Sequence, residues 1–246
     1  MIKKILISQP EPQHNKSPYF GLAEKYQVDI DFIPFIHVEG ATVSSFKKQK
    51  LNLLDFSAVV LTSRTAADNY FRLAEEMNIT IPISMKFFCL TENIAYYLQK
   101  YITYRKRKIF FADKTYDDLM KIMGKYKNEK FLLPVAQVHK QTILKKFRKE
   151  KFDYTKSVMY QTVSSDLSGL SKITYDLILF FSPADVKSLF DNFPDFQQEK
   201  RIIAVFGKTT ANAAKKSGLR VDINVPTKEY PSMAAAVEKL LKKHNL

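Results

Sequence analysis

The chain has 246 residues, 46% of them hydrophobic, enough to build one large domain or two modest ones with sizeable cores. Its single cysteine, Cys89, excludes an internal disulfide, no CxxC or paired His/Cys spacing marks a structural zinc site, and this usage suits a reducing cytoplasm. A formal charge of +14, from 39 basic against 25 acidic residues, favours anionic partners without choosing among nucleic acid, acidic membrane surfaces and polyanionic small molecules.

In chain order, the opening MIKKILISQP holds a short strand but no signal-length apolar region with a cleavage site. VDIDFIPF, SAVVLTS, KFFCL, KIFFA, KFLLPV, KSVMYQTV, DLILFFS, RIIAVFG and RVDINV follow, each separated from the next by a helical stretch. These runs are nearly continuous in apolar residues rather than alternating, as expected for strands buried on both faces of parallel sheets. An α/β class follows, and an all-β fold is excluded. The longest apolar runs, such as Leu177 to Phe181, are too short to span a bilayer, so no export and no anchor are expected.

Two basic clusters stand out. Arg105 to Lys108 lie together in YRKRKIFF. Lys140, Lys145, Lys146, Arg148, Lys149 and Lys151 surround Ile143, Leu144 and Phe147 at spacings of three and four, the pattern of the solvated face of an amphipathic helix.

The chain also repeats itself. FSAVVLTSRTAADNYF at 56 to 71 aligns without gaps with YDLILFFSPADVKSLF at 175 to 190, and KFFCLTENIAYYL at 86 to 98 aligns with IIAVFGKTTANAA at 202 to 214. Each is a strand running through a polar turn into a helix. KILISQP likewise echoes KFLLPVA at 130 to 136, and VDIDFIPF echoes FDYTKSVMY. Apolar strand followed by polar cap is generic to βα units, so the similarity arises from duplication or from shared physics. Either way two similar α/β lobes are expected. With only six glycines there is no flexible linker, and VDIDFIPFIHVE and KSVMYQTVSS are the extended connectors, Pro34 and the β-branched residues favouring that geometry.

LTSRTAADNYF at 61 to 71, FFSPADVKSLF at 180 to 190, AVFGKTTANAAKKSGLRVDINVPTKEYPSMAAAVEKL at 204 to 240, and VMYQTV at 158 to 163 together resemble the uroporphyrinogen-III synthase family, in order and spacing over essentially the whole chain. The resemblance implies a chain that begins in one lobe, builds the second and returns through a two-stranded connection. Lobe one is then 1–35 with 165–246, lobe two 39–157, and the connectors 36–38 and 158–164. It also implies a monomeric, cofactor-free and metal-free cytoplasmic lyase that closes hydroxymethylbilane into uroporphyrinogen III with inversion of the fourth ring. The substrate would be positioned between the lobes, with transient handover from the enzyme that makes hydroxymethylbilane, and with neither nucleic acid nor membrane as partner. Three places depart from the family pattern: Ser8, Gln9 and Pro10 stand where an arginine is usual, Thr91 and Glu92 where a glycine turn is usual, and Ala136 and Lys140 at the usual glycine and arginine positions.

By the same resemblance Tyr160 is the candidate catalytic residue, its phenol donating a hydrogen bond to the departing hydroxyl of the first ring. The candidate substrate-binding residues are Ser63, Arg64, Thr65, Lys140, Ser182, Pro183, Ala184, Gly207, Lys208, Thr209 and Thr210. Read from the residues alone, Ser63, Thr65, Ser182, Thr209 and Thr210 are helix caps, and Tyr160 is a half-buried strand tyrosine. Cap and contact are compatible, because free N–H groups at helix starts bind carboxylates and the implied substrate carries eight. Gly207 serves either a tight turn or close backbone approach to an anion, with Lys208 adding a cation. His14, His37, His139 and His244 are scattered and read as surface residues, and there is no P-loop or GxGxxG. Two other classes fit the composition: a non-catalytic two-lobed binder of a small anion, kept open by Gln9, Thr91 and Ala136, and a nucleic-acid module resting on charge, which lacks recognition motifs.

Overall fold

The computed structural model describes residues 1–13, 17–139, 141–170 and 174–245, which form two compact units: Met1–His37 with Val163–Leu246 (lobe one), and Val38–Thr162 (lobe two). The strands are β1 (Lys4–Ile7), β2 (Asp29–Phe32), β3 (Ile36–Gly40), β4 (Ala58–Leu61), β5 (Lys86–Cys89), β6 (Ile109–Phe111), β7 (Phe131–Ala136), β8 (Tyr154–Ser164), β9 (Leu177–Phe180), β10 (Ile202–Phe206) and β11 (Ile223–Val225). The helices are α1 (Pro18–Tyr26), α2 (Val43–Lys47), α3 (Arg64–Glu76), α4 (Glu92–Tyr97), α5 (Tyr116–Met123), α6 (Thr142–Lys149), α7 (Pro183–Asn192), α8 (Lys208–Lys216) and α9 (Met233–Asn245). The class is α/β, with parallel sheets flanked by helices.

Lobe one is a parallel sheet in the order β11-β10-β9-β1-β2. Its strands are apolar on both sides because both sides are covered. Ile5, Ile7, Leu177 and Leu179 pack with Leu22 of α1 and Val237 and Leu241 of α9, whereas Leu6, Ile178, Phe180, Ile203 and Val205 pack with Val186 and Leu189 of α7 and Ala211 and Ala214 of α8.

VDIDFIPF, expected as one run, is broken in the structure. The Ile33 amide continues the ladder by donating to the Ile7 carbonyl (3.0 Å), but Pro34 has no N–H, so β2 ends at Phe32 and Phe35 turns into the core.

Lobe two carries the order β3-β8-β7-β4-β5-β6, in which the pairs β8-β7, β7-β4, β4-β5 and β5-β6 are parallel. Leu61, Phe87, Leu132 and Met159 face Ala66, Ala67 and Tyr70 of α3 and Ile94 of α4; Val60, Phe88, Phe131 and Leu133 face Leu119 and Met123 of α5 and Leu144 and Phe147 of α6. The basic stretch after residue 140 is the amphipathic helix expected: Ile143, Leu144 and Phe147 are buried, Lys145, Arg148 and Lys149 exposed, and Lys146 pairs with Asp117.

Gly40 sits at the end of β3 for a steric reason. A Cβ there would lie 2.4 Å from the Arg72 guanidinium, which donates to the Ala41 carbonyl (2.7 Å).

Candidate functional site

In parallel sheets the turns that follow the strands gather at one edge, and ligands are held there by the helix starts. The candidate residues fall at this edge in each lobe, so the question is which helix starts keep their donors open. Those of α4, α5 and α7 are filled from within. Thr91 caps α4 by accepting from the Ile94 amide (3.4 Å) and Glu92 adds a carboxylate to its first turn. Thr115 caps α5 (3.1 Å from the Asp118 amide), whose first turn holds Asp117 and Asp118. A negative charge already resting on a helix N-terminus opposes an anionic ligand. Thr91 and Glu92 therefore fill their helix start instead of opening it.

The turn after β9 is filled most completely. Asp185 is 2% exposed and accepts through Oδ2 from the Ser8 hydroxyl (2.8 Å), the Phe181 amide (2.8 Å) and the Ser182 amide (2.9 Å), and through Oδ1 from the Ser182 hydroxyl (2.8 Å). Ser182 in return accepts from the Asp185 amide (3.3 Å). Pro183 has no N–H, which leaves the Ala184 amide as the donor of this turn without a partner among the described residues. Ser8 is buried and spans β1 to the β9 turn.

The turn after β10 is built differently. Gly207 adopts φ 83 and ψ 155, a region open to glycine and strained for other residues, and no protein atom lies within 4 Å of where a Cβ would project. Backbone conformation, not crowding, accounts for the glycine. Having no side chain, it cannot cap α8, and the consecutive amides of Lys208, Thr209 and Thr210 have no acceptor among the described residues. Their first turn holds no acid. Beside them Phe206 is 44% exposed and stacks on Phe181, with centroids 6.3 Å apart and planes at 21°. An open amide cluster next to an exposed aromatic face can take a carboxylate and an attached flat ring together.

In lobe two the start of α3 is likewise acid-free, as is that of α6. Ser63 caps α3 by accepting from the Ala66 amide (3.0 Å), while the Arg64 and Thr65 amides have no acceptor among the described residues. The Arg64 guanidinium lies 5.1 Å from the Tyr97 ring centroid, and Tyr97 donates to Asp68 (2.7 Å), as does Tyr101.

Tyr160 reaches the same edge through a β-bulge. Val135 pairs with Val158 but Ala136 pairs with Tyr160, so Met159 and Tyr160 together face one residue of β7. Regular alternation would send Tyr160 to the face that Val158 covers. The extra residue instead turns Met159 and Tyr160 together onto the α3 side of the sheet. Tyr160 is half-buried there, two strands from the end of β4 and Ser63.

Lys140 and His14 lie outside the described residues. His37 and His244 are exposed, as read from sequence. His139 corrects the surface reading: its Nδ1 is 2.8 Å from the Ala136 carbonyl, and its Nε2 is buried without a partner among the described residues. Its chain folds back over the end of β7, which spacing along the sequence does not reveal. Sequence reasoning also missed Asp185 and Phe206; an aspartate three residues after a Ser cap and an aromatic closing a strand before glycine were the available signals. Among the described residues no group of three or more His, Cys, Asp or Glu could hold a metal ion, and no helix is long and apolar enough to cross a membrane.

Fold and edge together define a two-lobed α/β protein of the kind that binds its ligand at strand-end turns. Comparison with known proteins narrows this class: the model of the family described as uroporphyrinogen-III synthase HemD matches residues 17–235, and the chain belongs to that family. Two solved structures share the fold. One is uroporphyrinogen-III synthetase from Helicobacter pylori, 15% identical, with TM-score 0.60 over 99% of this chain and 100% of that one. The other is a mutant uroporphyrinogen III synthase from the extremely thermophilic bacterium Thermus thermophilus, 13% identical, with TM-score 0.52 over 98% of this chain and 100% of that one. A search of curated proteins by sequence finds no significant match.

Proposed function

We propose that this protein cyclises hydroxymethylbilane to uroporphyrinogen III, with loss of water and inversion of the fourth ring. The observation that carries the proposal is the family match across residues 17–235. That match gives no support to the alternative of a non-catalytic anion binder.

The site chemistry fits this substrate. The Lys208, Thr209 and Thr210 amides and the Lys208 ammonium take side-chain carboxylates of the linear tetrapyrrole, and Phe206, backed by Phe181, takes the face of a pyrrole. The Ala184 amide adds a donor, while Ser182 and Pro183 hold its turn in shape. In lobe two the Arg64 and Thr65 amides and the Ser63 hydroxyl form a second set of contacts, and Lys140, outside the described residues, supplies a cation by the family resemblance. Tyr160 donates a hydrogen bond to the departing hydroxyl. The first ring's nitrogen lone pair expels that hydroxyl as the phenol proton passes to it, giving water, and the ring N–H proton returns to the phenolate, leaving an azafulvene. The fourth ring attacks the azafulvene carbon through its substituted position, and the spiro intermediate fragments and recloses with that ring reversed.

The same substrate closes without enzyme to the uninverted isomer, so the contribution of the protein is to hold the fourth ring in one orientation. No cofactor enters. The protein acts as a cytoplasmic monomer that receives its short-lived substrate from the preceding enzyme and uses neither nucleic acid nor membrane for this reaction. Freshly prepared hydroxymethylbilane, incubated with the protein and oxidised, is expected to give mainly the type III porphyrin on chromatography. An isomer mixture equal to that formed in buffer would end the enzymatic reading.

A further inference from the structure

The basic cluster at Arg105 to Lys108 has no place in the reaction. Arg105, Lys106 and Arg107 are exposed and make no ion pair among the described residues, and Lys108 donates to the Ser84 carbonyl (3.3 Å). Glu129 is occupied by Lys86 (2.6 Å). These cations adjoin a concave apolar surface. Ile81, Pro82, Ile83, Met85 and Ile102 line a cavity of about 170 Å³ together with Arg105. Met85 closes its floor at 3% exposure, and Ile83 stands on its rim at 70%. The cavity lies before β5 and β6, at the amino ends of the strands and so at the opposite edge from the strand-end turns of lobe two.

We infer that this edge of lobe two docks a partner protein through a segment presenting one apolar side chain among carboxylates. Three observations select that occupant. Cavity size is the first: a void of about 150 Å³ holds one benzene, so this one takes a single side chain and not an acyl chain. Charge is the second, since Arg105, Lys106 and Arg107, exposed cations without an ion pair among the described residues, complement beside an apolar hole an acidic segment with one anchor. The third is the wall itself, which is mainly isoleucine, proline and methionine, with Phe87 only 2% exposed, so the hole offers no open aromatic face. Single-stranded nucleic acid needs open aromatic faces on which bases stack. Basic residues of α6 differ in kind, because they flank a helix whose apolar side is already buried. The inference does not depend on the catalytic reading.

A random heptapeptide library displayed on phage, panned on the full chain with the Arg105→Glu/Arg107→Glu variant as counter-target, tests it. Selected peptides are expected to carry aspartate or glutamate around one leucine, isoleucine or phenylalanine. By fluorescence anisotropy the best peptide should bind the double variant, and separately Ile83→Asp, about tenfold or more weakly. All three side chains are exposed, so the variants should keep the wild-type melting temperature and tetrapyrrole-forming activity. No acidic and apolar consensus, equal binding to the variants, or preferential capture of oligothymidylate by the same cations would overturn the inference. A dimer that Ile83→Asp dissolves would overturn it as well, by assigning the face to a second copy of the chain.

Discussion

Phe206 and Gly207 show how much function can rest on residues that look ordinary in sequence. A strand-ending phenylalanine is usually core, and only the structure shows it half in solvent on top of Phe181. Phe206→Ala should raise KM by about tenfold, the loss expected when an exposed aromatic contact worth about 1–1.5 kcal/mol is removed, with little change in thermal stability. Gly207→Ala forces an L-residue into φ 83 and should cost about 1–2 kcal/mol of stability as well as activity. Tyr160→Phe should lower kcat while leaving the melting curve in place, because its hydroxyl has no hydrogen-bond partner among the described residues to lose. Unchanged kinetics would remove Tyr160 from the mechanism. Cys89 contrasts with these open groups: burial pushes its thiol up to about 12. It should resist thiol reagents at about pH 8 in the native protein and react fully once denatured.

At the scale of elements, the polar turns after the strands were visible in sequence, but which of them stay open was not. Of the residues read as caps, Ser63 and Ser182 are caps, but Thr65, Thr209 and Thr210 lie inside the first turns of α3 and α8, whose cap positions are Ser63 and Gly207; Thr91 and Thr115 cap α4 and α5 unanticipated. What separates one turn from another is the company of the cap: Glu92 and Asp117 fill their helix starts, Asp185 ties Ser182 to Ser8, and Gly207 leaves α8 uncapped. Ser8 and Asp185 are 177 residues apart, so only tertiary contact brings them together. Asp185→Ala should destabilise lobe one by about 2–3 kcal/mol, since it strips a charged acceptor from several buried donors, whereas Ser8→Ala should cost about 1 kcal/mol. Urea unfolding measures both, and equal effects would mean that the Ser8 contact dominates. The bulge at Val135 and Ala136 was likewise illegible, because one unpaired residue leaves no mark on an apolar run and yet decides which face Tyr160 takes.

At the scale of the molecule, continuous apolar strands and the internal repeat were enough to anticipate two α/β lobes, since strands buried on both faces must be covered by helices on both faces. The break at Pro34 was the main surprise in strand boundaries. Paired carboxylates contribute to the acid stability of lobe two. In lobe two, burial acts to raise the Glu129 carboxyl, but hydrogen bonds from Lys86 and Ser57 and the nearby Lys108 outweigh it and leave the group below its usual value. Asp68 follows the same balance: burial acts to raise it, and Tyr101, Tyr97 and Lys100 prevail. A carboxylate whose folded-state pKa is depressed stabilises the fold above its unfolded value and loses that contribution as pH falls through the folded one. Glu129→Gln should therefore flatten the fall in stability that begins below about pH 4.5 and should leave its pH dependence above that value unchanged.

The central claim is that strand-end amides, more than a strong acid or base, direct ring closure. Isomer-resolved turnover of hydroxymethylbilane by wild type, Lys208→Ala and Lys208→Pro tests it most directly. Proline suits the first helical position after the extended Gly207, and it removes the amide proton as well as the ammonium that alanine removes. The account predicts that wild type yields the type III isomer and that Lys208→Pro loses about tenfold in kcat/KM beyond Lys208→Ala, the worth of one hydrogen bond to a charged group. Equal rates for the two variants would contradict it, as would a wild-type product mixture no different from that of buffer.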